Sequence, residues 1–205
     1  MQTIKNRWIV VCLLAFTSST FGQISGSAHD FSATVHTWNT TGEICIVCHT
    51  PHNADTTVPD APLWNHEVTT AVFTLYSSPT MDIAPSQPEG VSRLCLSCHD
   101  GTIALDSYGG ATGTTNITGD YNLTTDLSDD HPVSIFWDHQ TEDPEGACGK
   151  CHSQHGGQIT NPYLPFFDQK VECATCHDVH NTSTYTKLLR LPLAGSELCL
   201  YCHGK

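Results

Sequence analysis

The pentapeptide Cys-x-x-Cys-His occurs five times in this chain, at Cys45–His49, Cys95–His99, Cys148–His152, Cys173–His177 and Cys199–His203. From the chain's own cysteine and histidine frequencies, roughly 0.04 such pentapeptides arise by chance. Cysteine pairs at this spacing also build zinc sites. Zinc takes four ligands, however, usually from two such pairs or from one pair with HxxxH, and it does not explain a histidine after every second cysteine. A disulfide closing each pair leaves the histidines equally unexplained. The pattern matches covalent attachment of a c-type haem. Cys45, Cys48, Cys95, Cys98, Cys148, Cys151, Cys173, Cys176, Cys199 and Cys202 then tether five porphyrins through their vinyl groups. His49, His99, His152, His177 and His203 reach the five irons from one face.

Cysteine usage agrees with that assignment. The first 22 residues read as a signal peptide: Lys5 and Arg7, an apolar run from Trp8 to Phe16, then small residues up to Gly22. The run is too short to span a bilayer. Cys12 lies inside it and leaves with it. All ten remaining cysteines belong to the pentapeptides, so no thiol is left over for a disulfide. The expected organisation is a signal peptide at residues 1–22 and a single pentahaem domain at 23–205. The expected location is extracellular or at the cell surface, with the periplasm as the alternative. Export suits the chemistry, because a bare Cys-x-x-Cys oxidises readily in such a compartment.

The chain has 205 residues and a formal charge of −13, which becomes −15 once Lys5 and Arg7 are removed. So acidic a surface disfavours nucleic acid and anionic membrane, and suits a basic redox partner. No apolar segment after the signal is long enough for a membrane span.

Gly, Pro, Ser, Thr and Asn punctuate almost every segment, which leaves room only for short helices at the haem motifs. The stretch with Gly109-Gly110, Gly113 and Gly119 reads as loop, as does Thr124 to Asp130. The expected fold class is mostly coil with short helices, little or no β-sheet, and a haem stack as the core. A chain this rich in coil does not bury enough apolar side chain to fold alone. Haem insertion is therefore expected to be coupled to folding, as metal binding is in small metal-dependent domains.

The motifs repeat at a higher level. Cys45 to His52 reads CIVCHTPH and is followed by Leu94 to Gly101, LCLSCHDG. Cys173 to His180 reads CATCHDVH and is followed by Leu198 to Gly204, LCLYCHG. This looks like a duplicated haem pair, with the Cys148 site added between the halves.

Eight further histidines are available for the second axial position, and Met81 is the single methionine left after signal removal. Most irons are therefore expected to be bis-histidine, with lower potentials than Met/His cytochromes. The candidates are His29, His52, His66, His131, His155 and His180; His36 and His139 have no supporting context. His52, His155 and His180 lie three residues beyond a proximal histidine. Neighbours one turn apart sit on the same side of a helix, whereas two axial ligands must approach opposite faces of the macrocycle. Each of these three must then serve a different haem. Eight candidates for five positions argue against an enzyme, which keeps one iron open for substrate, and no CxxCK motif or other catalytic constellation is present. Asp126, Asp129 and Asp130 lack the spacing of a dedicated calcium loop.

The stretches His29-Asp-Phe-Ser, CIVCHTPH (45–52), Pro62-Leu-Trp-Asn-His66, Phe73-Thr-Leu-Tyr-Ser-Ser, CLSCHDGT (95–102), Asp130-His-Pro-Val-Ser, CATCHDVH (173–180) and Cys199 to His203 span nearly the whole mature sequence. In their order the chain resembles the multihaem cytochromes c of metal-reducing and related bacteria, among them the tetrahaem outer-surface cytochromes that polymerise into extracellular nanowires. It departs from that pattern at CGKCHSQH (148–155), which adds a fifth haem. The resemblance implies electron conduction along a continuous haem stack, with identical subunits as partners and one axial histidine supplied by the neighbouring subunit. Other redox proteins or extracellular electron acceptors complete the expected partners. A soluble periplasmic shuttle and a multihaem oxidoreductase with one open iron are the alternatives.

Overall fold

The computed structural model describes residues 24–58, 61–81, 83–136, 164–180 and 185–203. The expected signal peptide (residues 1–22), the fifth motif (Cys148, Cys151, His152), His155 and His139 lie outside these residues. The described residues are mostly coil with a few short helices and two minimal sheets. No helix among the described residues is long and apolar enough to cross a membrane.

The longest described element is helix α1, Gly90–His99, and a haem motif forms its last five residues. Leu94 and Leu96 project to either side of it. Leu94 packs with Val58 and Trp64, and Leu96 with Phe73 and Leu127. Between these two clusters α1 carries two buried serines. Ser97 donates its hydroxyl to the Arg93 carbonyl (2.8 Å) and accepts the Thr69 N–H (3.0 Å). Ser92 accepts the Cys173 N–H (2.9 Å), which docks a second helix, α2 (Cys173–Cys176), against α1. Serine is an ordinary helix former at best; here its small size admits the approach and its hydroxyl satisfies the backbone that approaches.

Helix α1 ends at Asp100-Gly101. The buried Asp100 carboxylate accepts from the Thr69 hydroxyl (2.6 Å), the Thr102 N–H (2.7 Å) and the Thr102 hydroxyl (2.8 Å). Gly101 has φ +72, and a Cβ there would lie 2.6 Å from the Asn122 side chain, so turn conformation and space both demand glycine. A third helix, α3, spans Glu197–Leu200, and 3-10 turns cover Cys45–Val47, Gly119–Tyr121, Thr186–Leu188 and Ala194–Ser196.

The strands are two residues each. β1 (Thr74–Leu75) runs parallel to β2 (Asp126–Leu127), with Thr74 opposite Asp126. β3 (Ile135–Phe136) runs antiparallel to β4 (Lys170–Val171), with Ile135 opposite Val171. The segment Thr124 to Asp130, expected to be loop, is thus interrupted by β2. Its sequence gives no strand signal, because two residues are too few to show a period. Ladders this short act as clips between distant segments rather than as layers.

Candidate haem sites

Cysteine, cysteine and histidine at i, i+3 and i+4 share one face of a helical turn. That turn forms at each described motif. The His49, His177 and His203 amides donate to the Cys45, Cys173 and Cys199 carbonyls at 2.8, 3.0 and 2.9 Å, and Cys95–His99 closes α1.

Three of the four described proximal imidazoles are held by backbone. His49 Nδ1 lies 2.8 Å from the Pro62 carbonyl, His99 Nδ1 2.8 Å from Tyr121, and His177 Nδ1 2.8 Å from Lys187. A carbonyl only accepts, so each Nδ1 carries the proton and donates it. That leaves the Nε2 lone pair for a metal, with the ring orientation fixed by the other nitrogen.

The two described CxxCHxxH sites share one clamp. Around the first, Asn65 N–H donates to Cys48, Thr50 N–H to Leu63, and the Asn65 side chain to Ile46. Around the second, Arg190 N–H donates to Cys176, Asp178 N–H to Leu188, and Arg190 Nε to Ala174. Isolated bridges His49–Trp64 and His177–Leu189 complete the correspondence. Left-handed residues aim the carbonyls: Leu63 (φ 55) follows Pro62, and Lys187 (φ 58) and Leu188 (φ 57) lie at the other acceptor. The clamp residues were missed at the sequence level. Pro62-Leu-Trp-Asn65 and Lys187-Leu-Leu-Arg190 share only one leucine, because the contacts they repeat are mostly main-chain.

Three further imidazoles face proximal ones. Ring centres are 6.0 Å apart for His49 and His180, 6.1 Å for His29 and His99, and 6.3 Å for His131 and His203. Two metal–nitrogen bonds of about 2.0 Å, with about 1.1 Å from each nitrogen to its ring centre, require about 6.2 Å across an iron. The residues present therefore fit bis-histidine haem. His180 lies opposite His49 and not opposite its chain neighbour His177.

The other candidates are placed differently. His66 is 2% exposed, with Nδ1 2.8 Å from the Glu67 carbonyl, Nε2 3.1 Å from the Ala104 carbonyl and 3.5 Å from Cys98 Sγ. Both of its nitrogens thus have protein partners. His36 packs with Phe31 and Trp38, ring centres 5.6 and 5.5 Å away. His52 is exposed and engages Thr50 through its backbone. Among the described residues no ring faces His177.

The local electrostatics favour neutral groups. Burial, reinforced by His99, His177, His180 and His36, holds His29 down to about 4, so it is an unprotonated imidazole near neutral pH, the form that binds a metal. Burial, with Cys45 nearby, pushes the Cys48 thiol up to about 12. Burial, with Cys48 and Asp100, does the same for Cys98 (about 12), and burial with Cys176 takes Cys202 to about 11. Such sites suit a neutral thioether, the product of adding S–H across a vinyl group. The Cys95 and Cys173 thiols perturb one another, raising Cys95 and lowering Cys173, so two attachment edges lie near each other where the Cys173 N–H docks on Ser92 of α1. Beside the imidazole anchors, Leu63, Tyr121 and Tyr185 expose 55%, 69% and 40% of their surface.

Paired thiols on single turns, Nδ1-anchored imidazoles and opposed imidazoles at iron-spanning distance are the parts of a multihaem c-type cytochrome. A family model described as a doubled CXXCH motif matches residues 165–205, which hold the Cys173 and Cys199 sites. It points to covalent haem c and to the same class. Curated proteins gave no match to the chain.

Proposed function

We propose that the chain is an exported pentahaem cytochrome c that carries electrons through closely stacked bis-histidine haems, as the repeating subunit of an extracellular conductive filament. The observation that carries this reading is the set of three opposed imidazole pairs at 6.0–6.3 Å. The pairs also knit the sequence together. His180 ties the Cys173 segment to the Cys45 site, and the Cys173 N–H on Ser92 ties α2 to α1, which carries the Cys95 site. Three attachment sites therefore converge, as short electron hops require. The haems, when bound, supply the one-electron couples. The protein sets their axial ligands, their spacing and the dryness around them. No substrate is turned over in this reading.

The filament follows from the resemblance to polymerising outer-surface cytochromes, in which one axial histidine comes from the neighbouring subunit. His177, with no facing ring among the described residues, is a place for such a ligand. The same observation favours a second reading, an oxidoreductase with one open iron. Negative-stain imaging of the native protein tests the first: uniform fibres support it, and elution solely as a monomer replaces it with a soluble shuttle. Carbon monoxide binding to the reduced native protein would favour the open iron.

A further inference from the structure

Two buried side-chain nitrogens among the described residues have no hydrogen-bond partner: His29 Nδ1 and Trp64 Nε1. His29 belongs to an imidazole pair. Trp64 cannot ligate iron, and its orphaned N–H calls for a separate account.

Trp64 is 9% exposed. Its ring stands edge-on to His49, centres 6.3 Å apart at 89°, and its backbone bridges to His49 and to Asp55. It clusters with Val58 and Leu94, and Cys48, Ala61 and Val68 pack against that cluster. None of these side chains accepts a strong hydrogen bond, and an indole nitrogen is a donor only. A native interior rarely leaves such a donor unpaired, so the acceptor should come with the group that completes the site. With its four pyrrole nitrogens and both axial nitrogens on iron, a c-type haem offers its two propionate carboxylates as acceptors.

We propose that Trp64 is a positioning residue for the haem attached at Cys45 and Cys48, its Nε1–H donating to a propionate of that haem. This rests on the haem reading above. The duplicated clamp gives the contact a consequence, because the position equivalent to Trp64 is Leu189, which carries no side-chain donor. A carboxylate near the iron favours the ferric state, and a donor that draws off part of that charge raises the potential. Trp64 thus distinguishes two sites that share one clamp, and raises the potential of the Cys45 haem.

The test uses the full-length holoprotein with Trp64→Phe, and with Trp64 replaced by benzothienylalanine, which keeps the bicyclic shape and removes only the N–H. Resonance Raman should show a shifted propionate bending band in both. Redox titration resolved by haem should show a lower potential at the His49 iron and no change at the His177 iron, while Leu189→Phe leaves the propionate band in place. An unshifted band together with an unchanged potential in the benzothienylalanine protein overturns the contact. A mass spectrum of the unmodified chain lacking haem on Cys45 and Cys48 overturns the attachment reading instead.

Discussion

His180 lies three residues beyond His177 yet faces His49, with ring centres 6.0 Å apart and 22° between the planes. In the proposed haem arrangement, a ligand to one haem is thereby built into the attachment segment of another. Removing it should damage the partner site and spare its own. In His180→Ala the iron at Cys45–His49 should become five-coordinate, high-spin and able to bind carbon monoxide, while the iron at Cys173–His177 keeps its native spin state. Haem-resolved electron paramagnetic resonance on the holoprotein checks this. A spin change confined to the Cys173 site would show that the imidazole pairing is wrong.

His29 gives a dependence on pH. Its value is depressed from 6.5 to about 4, first by burial and then by neighbouring histidines. The folded state therefore binds fewer protons than the unfolded state between those values. Stability is present in full above about pH 6.5 and is lost as pH falls towards about 4. Bonding to iron acts in the same direction, since the ligand must be unprotonated. Thermal midpoints of the holoprotein should fall through this window. His29→Ala should flatten that part of the curve and open the iron at Cys95–His99 to carbon monoxide. A curve as steep in the variant as in the parent would remove His29 from this role.

The chemistry of the sites was legible in the sequence because haem attachment is local: two thiols and an imidazole on one turn need no information beyond five residues. The coil-rich fold was legible for a related reason, as glycine, proline and small polar residues break every long period. Long-range features were not legible. Nothing around His180 names His49 as its counterpart, and the carbonyls of Pro62, Tyr121 and Lys187 act through main chain that any residue supplies. The ten-residue length of α1 was also hidden, since its buried positions are two leucines flanked by two serines (Ser92, Leu94, Leu96, Ser97) and give no apolar stripe.

The shared clamp makes a prediction about equivalence. Asn65 and Arg190 each donate a side-chain N–H to the carbonyl just after the first cysteine of their motif. Asn65→Ala and Arg190→Ala should each cost about 1 kcal/mol, the net worth of one such bond. Arg190 also pairs with Asp178 at 3.0 Å, but side-chain exposures of 23% and 29% leave that pair well solvated and of small additional value. Chemical denaturation of the two holoprotein variants should give similar losses. A neutral Asn65→Ala beside a damaging Arg190→Ala would mean that the clamps are alike in shape only.

Glu172 caps α2 from a buried position. It accepts from the Ser134 hydroxyl (3.1 Å) and forms a reciprocal cap with Thr175. Burial raises its value above the ordinary 4.5 despite the Ser92 and Ser134 bonds and nearby Lys170. The folded state then binds more protons than the unfolded state over that interval, so stability falls as pH rises through it. Glu172→Gln keeps an acceptor for Ser134 and removes the buried charge. It should raise the thermal midpoint above the interval and confer no gain below it. A lower midpoint at neutral pH would show that the ionised carboxylate, rather than its shape, holds the cap.

The last prediction concerns folding without haem. The described apolar core holds two clusters, each built on three buried side chains, Val58, Trp64 and Leu94 in one, Phe73, Leu96 and Leu127 in the other, with Val47, Ala104, Leu164, Leu189 and Leu191 buried outside them. Leu63, Tyr121 and Tyr185 turn outward at the attachment sites. Clusters of this size do not offset the entropy of ordering so much coil. Each porphyrin would cover such outward residues and cross-link the turn that holds it to a distant imidazole. Chain expressed without haem attachment, and kept reduced, should show a far-UV spectrum dominated by coil and no cooperative thermal transition. A near-native, cooperative transition in that material would place the folding information in the polypeptide alone.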